Sequence, residues 1–212
     1  MILYRVSNIA DLLEFGKTVE DDIVGVLNSF HSRNKDTEDF IKNNAISFSK
    51  QGWSQTYIIT ASCKGEKFFV GYFTLSNKEF FISEKVFEKC GAKTTIKSGL
   101  RQKILNFGIR NDELGGYRVV SPLIAQLSKN YHNENNKLIT GDELLEMACN
   151  KVREVHRLIG GKFVYLECEN KQGLLNFYSS NNFVKFGERV IKDKNNNLQE
   201  TSLIQMLKEL KT

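Results

Sequence analysis

Between Thr140 and Gly161 the chain reads TGDELLEMACNKVREVHRLIGG. Leu144, Ala148, Val152, Val155 and Ile159 recur at helical spacing and form one apolar stripe, which Leu145 and Met147 widen. Thr140-Gly141-Asp142-Glu143 ahead of the stripe is a capping box: the Thr140 hydroxyl accepts from the Glu143 N–H while Glu143 reaches back to the N–H of Thr140. Gly160-Gly161 ends the run. A long amphipathic helix is therefore predicted. On one side of it lies LIAQLS (123–128), and on the other FVYLEC (163–168), both rich in apolar and β-branched residues and both read as strands.

Working outward, Ile2–Val6 reads as a short strand, and Tyr57–Ser62 and Phe68–Leu75 as a hairpin about Cys63-Lys64-Gly65-Glu66. Asp21–Phe30 and Glu38–Phe48 read as helices, as do shorter pieces at Glu84–Lys89 and Ile96–Phe107. Gln172–Ser180 is a further short helix, followed by a strand at Phe183–Phe186. The C-terminal run Leu203, Ile204, Met206, Leu207, Leu210 has a helical period, yet KDKNNNLQE before it resembles a hairpin loop between two strands. Both readings stay open.

With 212 residues, 41% hydrophobic and 26% charged, the chain can build a sizeable core, which excludes a disordered or disulfide-stapled miniprotein. A lone proline, Pro122, and the lack of any Ser/Gly/Pro-rich linker favour one domain over 1–212. The longest apolar run, Phe68–Leu75, is strand-sized, so no membrane span is expected. Polar residues interrupt MILYRVSNIADLL, so no signal peptide is expected and the cytoplasm is the expected compartment. Four isolated cysteines (63, 90, 149, 168) and three scattered histidines (31, 132, 156) have no metal-ligand spacing, so no metal is expected.

The net charge of +5 is concentrated. Lys89, Lys93, Lys97, Arg101, Lys103 and Arg110 fall in a segment with no acidic residue, inside a stretch (about 77–116) that resists simple reading. Such a patch suits a polyanion. A solvated surface in a Lys-rich chain is the competing explanation.

The order of strand, polar loop, Gly-containing helix start, helix, strand, and then LLNFYSSNNF (174–183) resembles the GNAT superfamily of acyl-CoA N-acyltransferases, and most closely its toxin-like branch. Asp39–Ala45 and Val70–Ser76 resemble corresponding upstream parts, so the likeness covers nearly the whole chain, with 77–116 as a basic insertion. The resemblance implies an α+β fold, with a mixed, mostly antiparallel sheet flanked by helices and its fourth and fifth strands splayed. It favours a closing strand at the C-terminus. It also implies acetyl-CoA as cosubstrate, with pantetheine along the backbone of Leu127, Ser128 and Lys129. The diphosphate would sit over Asn136, Lys137, Leu138, Ile139, Thr140, Gly141 and Asp142.

The loop departs from the family pattern. Asn136 stands for Arg/Gln and Ile139 for the first Gly, so only Gly141 survives. Lys137 could supply the missing charge. Asn182 replaces the usual Gly after the last helix, a mild change because Asn tolerates a left-handed backbone. The resemblance places a general acid at Tyr178; a packed aromatic on an amphipathic helix is the competing reading. Glu167 and Glu169 could reach an amine or be merely solvated or paired, and Cys168 reads as core. The implied activity is transfer of acetyl from acetyl-CoA to a primary amine on a protein, an aminoacyl-tRNA or a small molecule. A homodimer is compatible with it. The alternative is a non-catalytic coenzyme A-binding module with a degenerate loop.

Overall fold

In the computed structural model, residues 2–88, 96, 98–192 and 200–211 are described. The chain divides into two compact units, Met1–Ser76 with Ile124–Lys151 and Asn77–Leu123 with Val152–Thr212.

The first unit begins with strand β1 (Leu3–Asn8) and four helices: α1 (Ile9–Leu13), α2 (Lys17–Asn28), α3 (Lys35–Asn43) and α4 (Ala45–Lys50). Strand β2 (Gln55–Cys63) pairs antiparallel with β1 and with the first part of β3 (Glu66–Ser83), and the end of β5 (Gly116–Lys129) extends the order to β1-β2-β3-β5. Ile9, Ile23, Leu27, Phe30, Ile41 and Ala45 bury one face of the helical layer against Ile58, Phe69 and Tyr72. The Tyr72 hydroxyl donates to the Thr37 carbonyl at 2.5 Å, which satisfies the one polar atom of that buried ring. The helix expected over Glu38–Phe48 is broken in two at Asn44, which both ends α3 and precedes α4. Asn34 caps α3 by accepting from the N–H groups of Asp36 and Thr37.

The second unit carries the rest of β3 and the start of β5, then β6 (Phe163–Glu169), β8 (Glu200–Glu209) and β7 (Val184–Lys192), in the order β3-β5-β6-β8-β7. The short β4 (Ile109–Asn111) pairs with β5 off this path. Helices α5 (Lys85–Glu88), α6 (Ser98–Phe107) and α8 (Gln172–Ser180) also belong here, and α7 (Gly141–Ile159) ends here. Phe80, Ile82, Ile104, Val119, Leu123, Phe163, Tyr165, Phe186 and Leu207 form its core.

All five strand pairs with a resolved register are antiparallel, and the mixed α/β fold matches the expected class. The C-terminal run is a strand. It pairs with β6 on one side and β7 on the other, and its apolar residues fall on both faces, which mimics a helical period. β3 and β5 are far longer than expected, so the 77–116 segment opens on an extension of β3 and runs into a hairpin at 109–118, with α5 and α6 between them. Two elements, α1 and β4, were not foreseen from the sequence. Among the described residues no helix is long and apolar enough to cross a membrane.

Candidate functional site

The polar loop expected to hold a diphosphate lies between β5 and α7. Its first part, His132–Leu138, is a 3-10 segment kinked at Asn133 and Glu134, which both take left-handed backbone angles (φ 47° and 61°). Asn130 anchors its entry. This side chain, 1% exposed, accepts from the N–H groups of His31 and His132 and donates to the Phe69 carbonyl. Its own N–H bonds the Val70 carbonyl at 2.8 Å, at a register shift in the β2–β3 ladder.

Beneath the loop sits Lys129. Its Nζ donates to the carbonyls of Asn136 (3.1 Å) and Ile139 (3.2 Å). The Tyr4 hydroxyl takes the Leu138 carbonyl at 2.7 Å. Across a trans peptide the carbonyl and the next N–H point in opposite directions, so the N–H of Ile139 faces away from Tyr4. Lys137, the cation suggested by sequence, instead pairs with Glu134 at 2.6 Å on the surface.

The capping box forms as expected. Thr140 Oγ1 accepts from the Glu143 N–H at 3.1 Å, and the Glu143 carboxylate accepts from the Thr140 N–H at 2.8 Å. These bonds hold the Glu143 carboxyl below the usual carboxylate range. The N–H of Gly141 precedes the first intrahelical donor, since the helical ladder starts with Leu144 N–H on Thr140. This donor set, at the positive end of a 19-residue helix and backed by the Lys129 ammonium, has the chemistry to hold a diphosphate. The carboxylates of Asp142 and Glu143, both in the first turn, oppose it.

Gly71 positions α7. A Cβ there would stand 2.9 Å from the Ser128 carbonyl and 3.3 Å from Leu144 Cδ2, so only glycine lets β3 approach both. Leu127, Ser128 and Lys129 follow one another along the end of β5, all half-buried.

In the second unit, α8 spans Gln172–Ser180 as expected and ends with Asn182 in a left-handed conformation (φ 65°). Tyr178 is 9% exposed, its ring edge-on to Phe177 and Phe183. Burial, with a smaller contribution from Cys168, raises its hydroxyl above the ordinary tyrosine range, so it is protonated at every working pH. The Cys168 thiol is likewise pushed up to about 11, mainly by burial, which suits a core residue. Glu167 is engaged by Arg189 (3.1 Å) and Gln205 (2.9 Å), and Glu169 by Lys171 (2.6 Å).

Of the six basic residues, Lys103 pairs with Glu209 at 2.6 Å, and Arg110 with Glu84 and Asp112. Arg101 lies over the Phe87 ring. Lys89, Lys93 and Lys97 lie outside the described residues. Acids remote in sequence thus neutralise part of a segment that contains none. None of the described cysteines 63, 149 and 168 forms a disulfide, and among the described residues no three His, Cys, Asp or Glu gather as a metal site.

A capped helix thus opens onto a cation-backed loop at the end of a mostly antiparallel sheet. No protein-family model and no curated protein sequence matches the chain. Solved structures do. AtaT complexed with acetyl-methionyl-tRNAfMet matches with a TM-score of 0.58 and 14% identity, over 95% of this chain and 94% of that one. A tyrosine-to-phenylalanine variant of KacT matches with 0.59 and 15%, over 97% and 94%. A tyrosine-to-phenylalanine variant of the AtaT toxin, bound to the C-terminus of the antitoxin AtaR and acetyl-CoA, matches with 0.54 and 13%, over 98% and 92%. At these identities the likeness shows the fold: this chain folds as those toxins do.

Proposed function

We propose that the chain, as one domain over 1–212, is an N-acetyltransferase that moves acetyl from acetyl-CoA to the primary amine of an aminoacyl-tRNA. The observation that carries this reading is the loop itself. Lys129 and Tyr4 take the carbonyls of Asn136, Ile139 and Leu138, which turns the N–H groups of Lys137 and Ile139 to the opposite side from those carbonyls. The diphosphate rests on Asn136, Lys137, Leu138, Ile139, Thr140, Gly141 and Asp142, with backbone donors supplying most of the contacts. Pantetheine runs along Leu127, Ser128 and Lys129, and an N–H near Leu127 polarises the thioester carbonyl. The neutral amine attacks that carbonyl, the carbon–sulfur bond breaks, and Tyr178 gives the departing thiolate its proton. Cys168, buried and held as a thiol, takes no part, in keeping with direct transfer.

The acceptor is suggested by AtaT, which was captured with acetyl-methionyl-tRNAfMet. Contacts to tRNA fall to Lys89, Lys93, Lys97, Arg101, Lys103 and Arg110, of which Lys103 and Arg110 also pair with acids of the chain. Charged tRNA and acetyl-CoA place the reaction in the cytoplasm. A homodimer would cover the exposed Phe107, Ile109, Val120 and Ile159, which surround a cavity of about 320 Å3.

The test is incubation with acetyl-CoA and bulk aminoacylated tRNA, reading free thiol and the mass of the aminoacyl group. Stoichiometric thiol and a 42 Da gain, roughly one acetyl group on the amine, are expected. Acetyl-CoA binding without turnover on any amine would instead favour the non-catalytic module.

A further inference from the structure

An amine attacking a thioester must lose a proton, and the acids on β6 are poorly placed to take it because both are committed to cations. The first unit offers another group. His31, in the loop between α2 and α3, is bound on both sides of its backbone to the chain just beyond Lys129: its N–H donates to Asn130 Oδ1 (3.0 Å) and its carbonyl accepts from Tyr131 N–H (2.8 Å). The next residue, Ser32, meets Ser128 hydroxyl to hydroxyl at 2.9 Å. The His31 loop is thereby fastened to Ser128, one of the residues along which pantetheine is placed, and to Asn130 and Tyr131 just beyond them.

The His31 ring is 67% exposed, and its Nδ1 stands 3.6 Å from Glu38 Oε2. Glu38 is itself fixed, accepting from the Ser32 N–H at 2.9 Å and from Lys42 Nζ at 2.6 Å. Those bonds, Lys42 first, hold its carboxyl below the ordinary range. The Glu38 carboxylate beside Nδ1 orients the ring and leaves Nε2 to meet a substrate, the base-and-orienter arrangement of nucleophile activation. Other charged and titratable groups around the loop include Arg33, stacked over Tyr131 at 4.6 Å, Lys35 and Asp36 in the first turn of α3, and His132 on the segment after β5.

We propose that His31 is the general base of the transfer and Glu38 its positioning residue, an inference that rests on the acetyl-transfer reading above. As the nitrogen–carbon bond forms and the carbon–sulfur bond breaks, the proton of the amine passes to His31 Nε2, and the thiolate takes its proton from Tyr178. Both groups re-equilibrate with water before the next turnover.

The experiment compares wild type, His31→Ala and Glu38→Gln as full chains, with acetyl-CoA and bulk aminoacylated tRNA. The exposed ring and the backbone character of the His31 hydrogen bonds let the variants fold. His31→Ala is expected to lose about 100-fold in kcat, with acetyl-CoA affinity unchanged by calorimetry. Added imidazole should restore part of the rate. Glu38→Gln should lose less and weaken the acid limb of the pH–rate profile. A His31→Ala rate equal to wild type, or a loss that imidazole does not relieve, overturns the proposal while leaving acetyl transfer intact. A wild-type protein that releases no thiol overturns acetyl transfer and the role of His31 with it.

Discussion

Lys129 Nζ and the Ile139 carbonyl lie 3.2 Å apart, joined by a hydrogen bond that spans ten residues and ties the end of β5 to the start of α7. The same ammonium holds Asn136, so one half-buried side chain organises a loop that lacks the usual glycines. Replacing Lys129 with Met keeps the apolar stem and removes two charge-assisted bonds. Acetyl-CoA affinity should fall about 10- to 100-fold, read by calorimetry, with helix content by circular dichroism unchanged. Unaltered affinity would show that the loop holds its shape without the lysine.

A second expectation concerns Gly71. An added methyl group must push on the Ser128 carbonyl, which is backbone, or on Leu144. Gly71→Ala should therefore destabilise the protein by about 1–3 kcal/mol and weaken acetyl-CoA binding as well. Urea unfolding and calorimetry report the two effects separately.

Tyr178→Phe removes one oxygen from a ring that packs against Phe177 and Phe183 through its carbons. Stability and acetyl-CoA affinity should survive, while kcat should fall about 100- to 10,000-fold. An unchanged turnover would make Tyr178 a packing residue and nothing more.

Acid should loosen the second unit through His156. The ring is 4% exposed and neither nitrogen makes a hydrogen bond of good geometry. Burial lowers its pKa, reinforced by Lys162 and opposed by the Phe163 carbonyl. The unfolded chain then binds a proton that the folded chain resists. This contribution to stability is complete above about pH 6.5, the ordinary imidazole value, and is lost as pH falls through the depressed folded value. Thermal melts from pH 7.5 to 5 should show a falling Tm, and His156→Phe, if it packs, should flatten that slope.

Local chemistry made α7 and α8 legible in the sequence. The capping box at Thr140 and Glu143, the 3.6-residue stripe and the stop at Gly160 all act within a few residues, and the structure follows them closely. The features missed are set by distant partners. Nothing near Lys129 in sequence says that it will lie under Ile139 while Lys137 turns to Glu134. The acid-free run to Arg110 looked uncompensated, yet Glu84 and Glu209 reach into it across the fold. A strand with both faces covered, such as β8, carries no period of its own. His31 gave no signal at all, because a lone histidine in a loop acquires meaning only from Asn130 and Glu38.

Titration of acetyl-CoA into the wild-type protein, followed by calorimetry, bears most directly on whether residues 127–142 form a coenzyme A cradle. One saturable site per chain is predicted, with S-acetylpantetheine, which lacks the diphosphate, binding far more weakly. No heat at millimolar ligand, or equal binding with and without the diphosphate, would contradict it.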